Sequence, residues 1–252
     1  MLVLTHDSIV AGHHFLPTQD PADVAWRLVA TNISDLAAKG AQPVGVLLSY
    51  QLTGDEARFL EGLHQALAHY NVPLLGGDTV AASGAQVLGL TALGRATYCP
   101  VPSRDGANIG DGIYLSGPVG GAMMGFEALQ AGVQDEALTL PYRRPQARLA
   151  EGIALAPYVS AMMDVSDGLL LDAARLGKAS GVTLALESAA VPLAAPESRR
   201  ADALRWGDDY QLLFTASGAL PIPAFRIGTV IAGNDPLLLD GKVPEGNLGY
   251  IH

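Results

Sequence analysis

Two rhythms of hydrophobic and polar positions alternate along the chain. Short apolar runs end in Gly or Asp, and longer stretches repeat apolar residues every three or four positions. The first pattern predicts buried strands and the second predicts helices with one apolar face. Residues 2–4 read as a short buried strand ending at Asp7. Asp20-Pro21 opens a helix, with Asp as cap and Pro in the first turn; Val24, Ala25 and Leu28 set its buried face, and it runs to about Ala38 before a stop at Gly40. Residues 43–52 are an apolar run long enough for a strand. Thr53-Gly54-Asp55-Glu56 is a capping box for a helix carrying Phe59, Leu60, Leu63 and Leu67 at helical spacing. Residues 72–75 form a strand feeding Gly76-Gly77-Asp78, and residues 86–96 form another. A β-α-β-α-β-β order predicts an α+β unit with helices on one sheet face.

The stretch 99–111, with Pro100, Pro102, Gly106 and Gly110, reads as a linker. Beyond it, strand 112–116 leads through the turn Gly117-Pro118-Val119-Gly120-Gly121 into a helix ending near Ala131. Residues 141–145 read as a basic, proline-bearing loop, and 148–156 as helix. Strand 161–165 enters Asp164-Val165-Ser166-Asp167-Gly168, followed by helix 169–179 and strand 182–186. A short helix ends at Trp206-Gly207, and 210–215 and 225–230 are strands. The halves share a strand, Gly/Asp turn and helix order, without a fixed repeat period.

The chain has 252 residues, 49% hydrophobic and 16% charged, which suits one large or two modest domains. A net charge of −10 argues against a nucleic-acid backbone as partner. The lone Cys99 excludes an internal disulfide, fits a reducing cytoplasm, and reads as a small buried apolar residue. No apolar run reaches the length of a membrane span, and the first residues lack a signal-peptide pattern.

Candidate chemistry lies in aspartates at the ends of elements: Asp7, Asp35, Asp78, Asp164, Asp167 and the pair Asp208-Asp209. None has Lys or Arg beside it in sequence. Two carboxylates about 5 Å apart repel by roughly 3 kcal/mol at an effective dielectric near 20. If they converge, they converge on a cation, and an all-oxygen set points to Mg²⁺ and phosphate chemistry. Each aspartate alone is also compatible with a plain turn or solvated strand end. His13-His14 lacks the spacing of a zinc site. No P-loop, dinucleotide fingerprint or protein-kinase motif is present. The 117–121 turn is a candidate backbone nest, and Arg104 and Arg143-Arg144 are candidate phosphate-binding cations.

Five ordered motifs carry a family resemblance. They are Asp7-Ser8-Ile9-Val10-Ala11-Gly12-His13-His14-Phe15-Leu16-Pro17, Asn32-Ile33-Ser34-Asp35-Leu36-Ala37-Ala38-Lys39-Gly40-Ala41, Gly76-Gly77-Asp78-Thr79, Asp164-Val165-Ser166-Asp167-Gly168-Leu169 and Gly207-Asp208-Asp209-Tyr210-Gln211-Leu212. In this order they resemble the thiamine-monophosphate kinase family, of the aminoimidazole ribonucleotide synthetase-like superfamily. The resemblance implies an α+β fold of two α/β-layered domains, with mixed sheets and helices packed on one face. It places an ATP- and metal-binding, dimerising domain at 1–105 and a C-terminal domain at 106–252, with the active site between them. It implies a cytoplasmic homodimer that transfers phosphate from ATP to thiamine phosphate directly and in line, with Mg²⁺. Residue by residue, it assigns metal contacts to Thr5, His6, Asp7, Asp35, Asp78, Asp164 and Asp167. It assigns ATP contacts to Gly77, Asp78, Arg104 and Ser166, and substrate contacts to His14 and Asp208.

The sequence departs from the family pattern at several points. The family's N-terminal Gly-Asp-Asp segment has no counterpart in this sequence, His6 replaces a hydroxyl residue, Asp208 replaces Glu, and Asn247 stands where the family has Trp. Two other readings therefore stay open: a homologue that binds nucleotide or thiamine phosphate without turnover, and a superfamily relative acting on another substrate.

Overall fold

Eighteen residues of low polarity, Pro21–Ala38, form the helix α1 around which both halves of the chain are arranged. The computed structural model describes residues 1–54 and 56–251. Asp20 caps α1 as its sequence predicts, its carboxylate accepting from the Ala22 N–H at 2.9 Å. The first half adds β1 (Leu2–Val10), β2 (Ala41–Gln51), α2 (Glu56–His69), β3 (Leu74–Val80) and β4 (Val87–Ala96). Its four strands lie in the order β1-β4-β2-β3. The β1/β4 and β4/β2 pairs are antiparallel and β2/β3 is parallel. Asp55 of the expected capping box lies outside the described residues, but the Glu56 carboxylate does reach back to the N–H groups of Thr53 (2.9 Å) and Gly54 (2.6 Å).

The second half contains β5 (Gly112–Leu115), α3 (Gly121–Gln130), α4 (Glu136–Arg143), α5 (Leu149–Leu155), β6 (Ala161–Asp164) and α6 (Leu169–Ser180). β7 (Thr183–Leu186), α7 (Arg200–Ala203), β8 (Leu212–Ala216), β9 (Phe225–Ile231) and β10 (Leu237–Leu239) follow. Six strands run β10-β7-β9-β5-β8-β6. Only β10/β7 is parallel, so this sheet is mixed as well.

Each sheet has its own apolar core, and a third cluster joins them. That cluster packs Ala37 and Ala38 of α1 against Leu155, Met162, Leu212 and Phe214. α1 therefore meets β1, β2, β4 and α2 as well as α5 and β6 of the other half. A helix covered on all sides must pair its charges. Buried Asp23 accepts from Arg143 at 2.7 Å and from Arg144, and buried Arg27 pairs with Asp208 at 3.0 Å.

Several expectations need correction. β1 runs on to Val10 and turns Leu2 and Leu4 to solvent, so Asp7 lies inside the strand. Asp78 also lies inside a strand, because Gly76 and Gly77 pair with Leu47 and Leu48. Part of the expected loop at 141–145 is helical, with Pro141 inside α4. Cys99 is exposed, not buried. Among the described residues no helix is long and apolar enough to cross a membrane.

Candidate active site

A cleft of about 540 Å³ opens where the halves meet. Asp7 and Asp35 line it from the first half, and Asp164 and Asp167 from the second. Period-2 alternation puts Thr5, Asp7 and Ile9 on the face of β1 that meets α1. There the Thr5 hydroxyl donates to the Asp35 carboxylate, and the Asp7 N–H donates to Asn32 Oδ1 at 3.1 Å. Ser34, fully buried on α1, donates to Asp164 Oδ2 at 2.7 Å. One helix thus fixes carboxylates of both halves.

The turn after β6 holds Ser166 and Asp167. Their N–H groups donate to buried Asp172 Oδ2 at 3.1 and 3.0 Å, and Arg175 bridges Asp167 and Asp172. Gly207 packs directly on this turn; a Cβ there would stand 2.1 Å from the Ser166 carbonyl oxygen, which excludes any side chain.

The electrostatics of the cleft are strained toward negative charge. Asp164 is held well above the usual carboxylate range, first by burial and then by the neighbouring charge of Asp35. Lys39, beside Asp35 and Asp164, is itself lowered, first by burial and then by Arg104. A divalent, oxygen-preferring cation relieves such a carboxylate surplus, so the residues fit Mg²⁺. Among the described residues no three acidic, His or Cys side chains form a ready-made cage. Mg²⁺ commonly takes one or two carboxylates and completes its shell with phosphate oxygens and water, which suits this distribution.

His14, Ser166 and Asp208 also line the cleft. His14 Nδ1 accepts from the Val10 N–H at 3.1 Å, which leaves its ring proton on Nε2. Asp208 has φ +68° and receives the Tyr210 hydroxyl at 3.1 Å as well as the Arg27 guanidinium.

Four expected site residues lie elsewhere within the single chain. His6 faces away from α1, bonded to the Thr91 and Ser8 hydroxyls, because it alternates with Thr5 and Asp7. Asp78 opposes Ser49, which opposes Gly89, which opposes Ser8, so it shares the His6 face, three strands from β1. Gly77 is accounted for by packing: a Cβ there would meet the Leu48 carbonyl oxygen at 2.1 Å. Arg104 is exposed next to Lys39, outside the residues that line the cleft. The candidate nest at 117–121 is filled from within, since the Gly120 and Ala122 N–H groups donate to Asp209 at 2.6 and 3.1 Å. Arg143 and Arg144 are committed to Asp23.

Sequence reasoning missed Arg27 and the aromatic lining, Phe126, Tyr142, Trp206 and Tyr250. A signal for Arg27 existed: it is the lone basic residue in the 18 residues of α1, so its charge has to be accounted for. Asn247 lines the cleft, and its carbonyl accepts from Arg205 at 3.1 Å.

Residues 1–96 match the family model described as AIR synthase related protein, N-terminal domain. The thiamine-monophosphate kinase of Escherichia coli K12 is 34% identical over 291 aligned residues, covering all of this chain and 86% of that protein. The Salmonella typhimurium thiamine-monophosphate kinase is 37% identical over 251 residues, covering 90% of this chain and 76% of its own length. A solved structure described as AaThiL complexed with AMPPCP and TMP superposes with a TM-score of 0.89 at 30% identity, covering 99% of this chain and 87% of that one.

Proposed function

Because this chain belongs to the thiamine-monophosphate kinase family, we propose that it transfers the terminal phosphoryl group of ATP to thiamine phosphate, giving thiamine diphosphate and ADP. The observation that carries this reading is the meeting of Asp7, Asp35, Asp164 and Asp167 in one cleft between the halves. In the proposal Mg²⁺ would draw its one or two carboxylates from these four, with the Thr5 hydroxyl fixing Asp35 and the Ser34 hydroxyl fixing Asp164. When bound, Mg²⁺ neutralises and aligns the two phosphates for in-line transfer. The acceptor phosphate is largely ionised near neutral pH, so no side chain has to act as a strong base. The work of the protein is positioning. Ser166 contacts ATP phosphate oxygens, the Nε2–H of His14 donates to an acceptor oxygen, and Asp208 contacts the acceptor molecule.

We assign the ATP- and metal-binding, dimerising unit to 1–105 and its companion, which adds Asp164, Ser166 and Asp167 to the same site, to 106–252, and the enzyme to the cytoplasm as a homodimer. The homodimer is supported by the face of the first sheet opposite α1, which exposes Leu2, Leu4, Leu47, Val80 and Val87. A second copy covering that face also covers His6 and Asp78.

The test is chromatographic detection of thiamine diphosphate after incubating folded protein with ATP, thiamine phosphate and Mg²⁺. Product is expected with Mg²⁺, and none after chelation or with thiamine in place of its phosphate. Folded protein that makes no thiamine diphosphate would overturn the proposal.

A further inference from the structure

Phe126 of α3 and Trp206, in the loop after α7, both line the cleft, with ring centroids 5.3 Å apart. Both are half-buried, and neither belongs to any of the three apolar clusters that hold the fold together. Two large rings left out of the core and turned into a cleft are a binding surface in waiting. Tyr142 extends the wall, 5.2 Å from Phe126, but Arg27 already lies over its ring at 4.2 Å. Phe126 and Trp206, with Tyr250 also on the cleft lining, are the rings turned toward a ligand, and Phe126 and Trp206 are the two that lie against each other.

Trp206 is held rather than loose. Its N–H donates to the Asp202 carbonyl at 3.0 Å, and Gly207 after it packs on the Ser166–Asp167 turn. Arg205 before it donates to the carbonyls of Ala201 at 3.0 Å and Asn247 at 3.1 Å, tying the loop to the C-terminal segment. Two residues on, Asp208 brings a partly exposed carboxylate to the same cleft, its Oδ2 paired with Arg27 and its Oδ1 accepting from the Tyr210 hydroxyl. Aromatic faces beside an anion suit a flat ring that carries positive charge.

We propose that Phe126 and Trp206 form the subsite for the cationic heteroaromatic part of the acceptor, with Trp206 as a specificity-determining residue. This rests on the kinase reading above, which gives the acceptor a thiazolium ring. The ring stacks on the Phe126–Trp206 wall, with Asp208 complementing its charge. Its phosphate end is left to the acidic side of the cleft.

Steady-state kinetics on Trp206→Ala, Trp206→Phe and Phe126→Leu test the subsite. Trp206→Ala is expected to raise KM for thiamine phosphate about tenfold, leaving KM for ATP within twofold, and Trp206→Phe to recover most of the loss. Emission gives a second readout, because the chain has 2 tryptophans and Trp26 is buried away from the cleft. Thiamine phosphate is expected to quench wild-type emission, and Trp206→Phe is expected to abolish that quench. An unchanged KM in Trp206→Ala, or a quench that persists in Trp206→Phe, overturns the subsite while leaving the kinase reading standing. If wild type makes no thiamine diphosphate, the kinase reading fails and the titration still decides. A quench lost in Trp206→Phe upholds ring recognition, and no quench at all overturns it. Trp206→Phe and Phe126→Leu keep the test valid should the alanine variant fail to fold.

Discussion

Asp209 shows how one carboxylate can take a place that the sequence offers to a ligand. The 117–121 turn has the glycines of an anion nest, and its N–H groups are in fact consumed by Asp209. Desolvation pushes the Asp209 carboxyl up to about 7, against the lowering effect of the hydrogen bonds from Gly120 and Ala122. The sign of the pH effect follows. The unfolded carboxyl titrates near 3.8, so between that value and about 7 the folded protein holds a proton that the unfolded chain has lost. Its contribution to stability is fully present below the unfolded value and is lost as pH rises through about 7. For one proton the slope is at most about 1.4 kcal/mol per pH unit. Asp209→Asn removes this proton and sets an amide N–H₂ against a backbone donor. Urea titrations from pH 4 to 8 are expected to show a flatter pH profile for the variant, with a loss of about 1–2 kcal/mol at the acid end. Parallel profiles for variant and wild type would show that Asp209 does not titrate in this window.

At the scale of elements, α1 unites the halves, and Arg27 is its most exacting contact. The guanidinium is buried, pairs with Asp208, donates to the Tyr142 carbonyl and stacks on the Tyr142 ring, while its Nε has no partner. Removing one member of a buried pair costs more than the pair contributes, because the other charge is stranded. Asp208 is 30% exposed, so solvent softens the penalty. Arg27→Ala is expected to cost about 2–3 kcal/mol and to lower Tm by roughly 5–10 °C, read by calorimetry, with Arg27→Lys between it and wild type. An unchanged Tm in Arg27→Ala would show the bridge to be dispensable. The bounds of α1 were legible because local chemistry sets them, Asp20-Pro21 at one end and Gly40 beyond the other. α4 was not, since Pro141 argues against a helix; the helix forms with Asp135 capping it through the Leu138 N–H at 3.2 Å. β10 has only three residues, too few for any period to show. Four of the carboxylates that line the cleft could be named from order and motif. Which face His6 and Asp78 take depends on strand register, and Phe126 and Trp206 meet only through tertiary packing. No local pattern in the sequence encodes either.

For the whole molecule, the open question is what covers the first sheet. α1 and α2 shield one face, and the other shows Leu4 at 67% and Leu47 at 47% exposure. These side chains share one side because Leu4 opposes Leu93, Gly45 opposes Leu93, and Leu47 lies two residues on from Gly45. An apolar sheet face of this kind is costly in water, and a symmetric second copy offers it an identical apolar surface. The same face carries His6 and Asp78, so assembly would decide whether those two residues remain solvated. Leu47→Glu places a charge in the middle of the face without touching either core. Light scattering coupled to size exclusion is expected to give wild type twice the 26.1 kDa chain mass and Leu47→Glu the single mass, with unchanged circular dichroism. Ile109→Glu, at a still more exposed apolar position in the linker after β4, is expected to keep the wild-type mass. That pairing separates a specific interface from general stickiness. A wild-type protein running at one chain mass would leave the leucine face without a partner of its own kind. The homodimer would fall, and the cleft, whose four carboxylates all come from one chain, would stand apart from it.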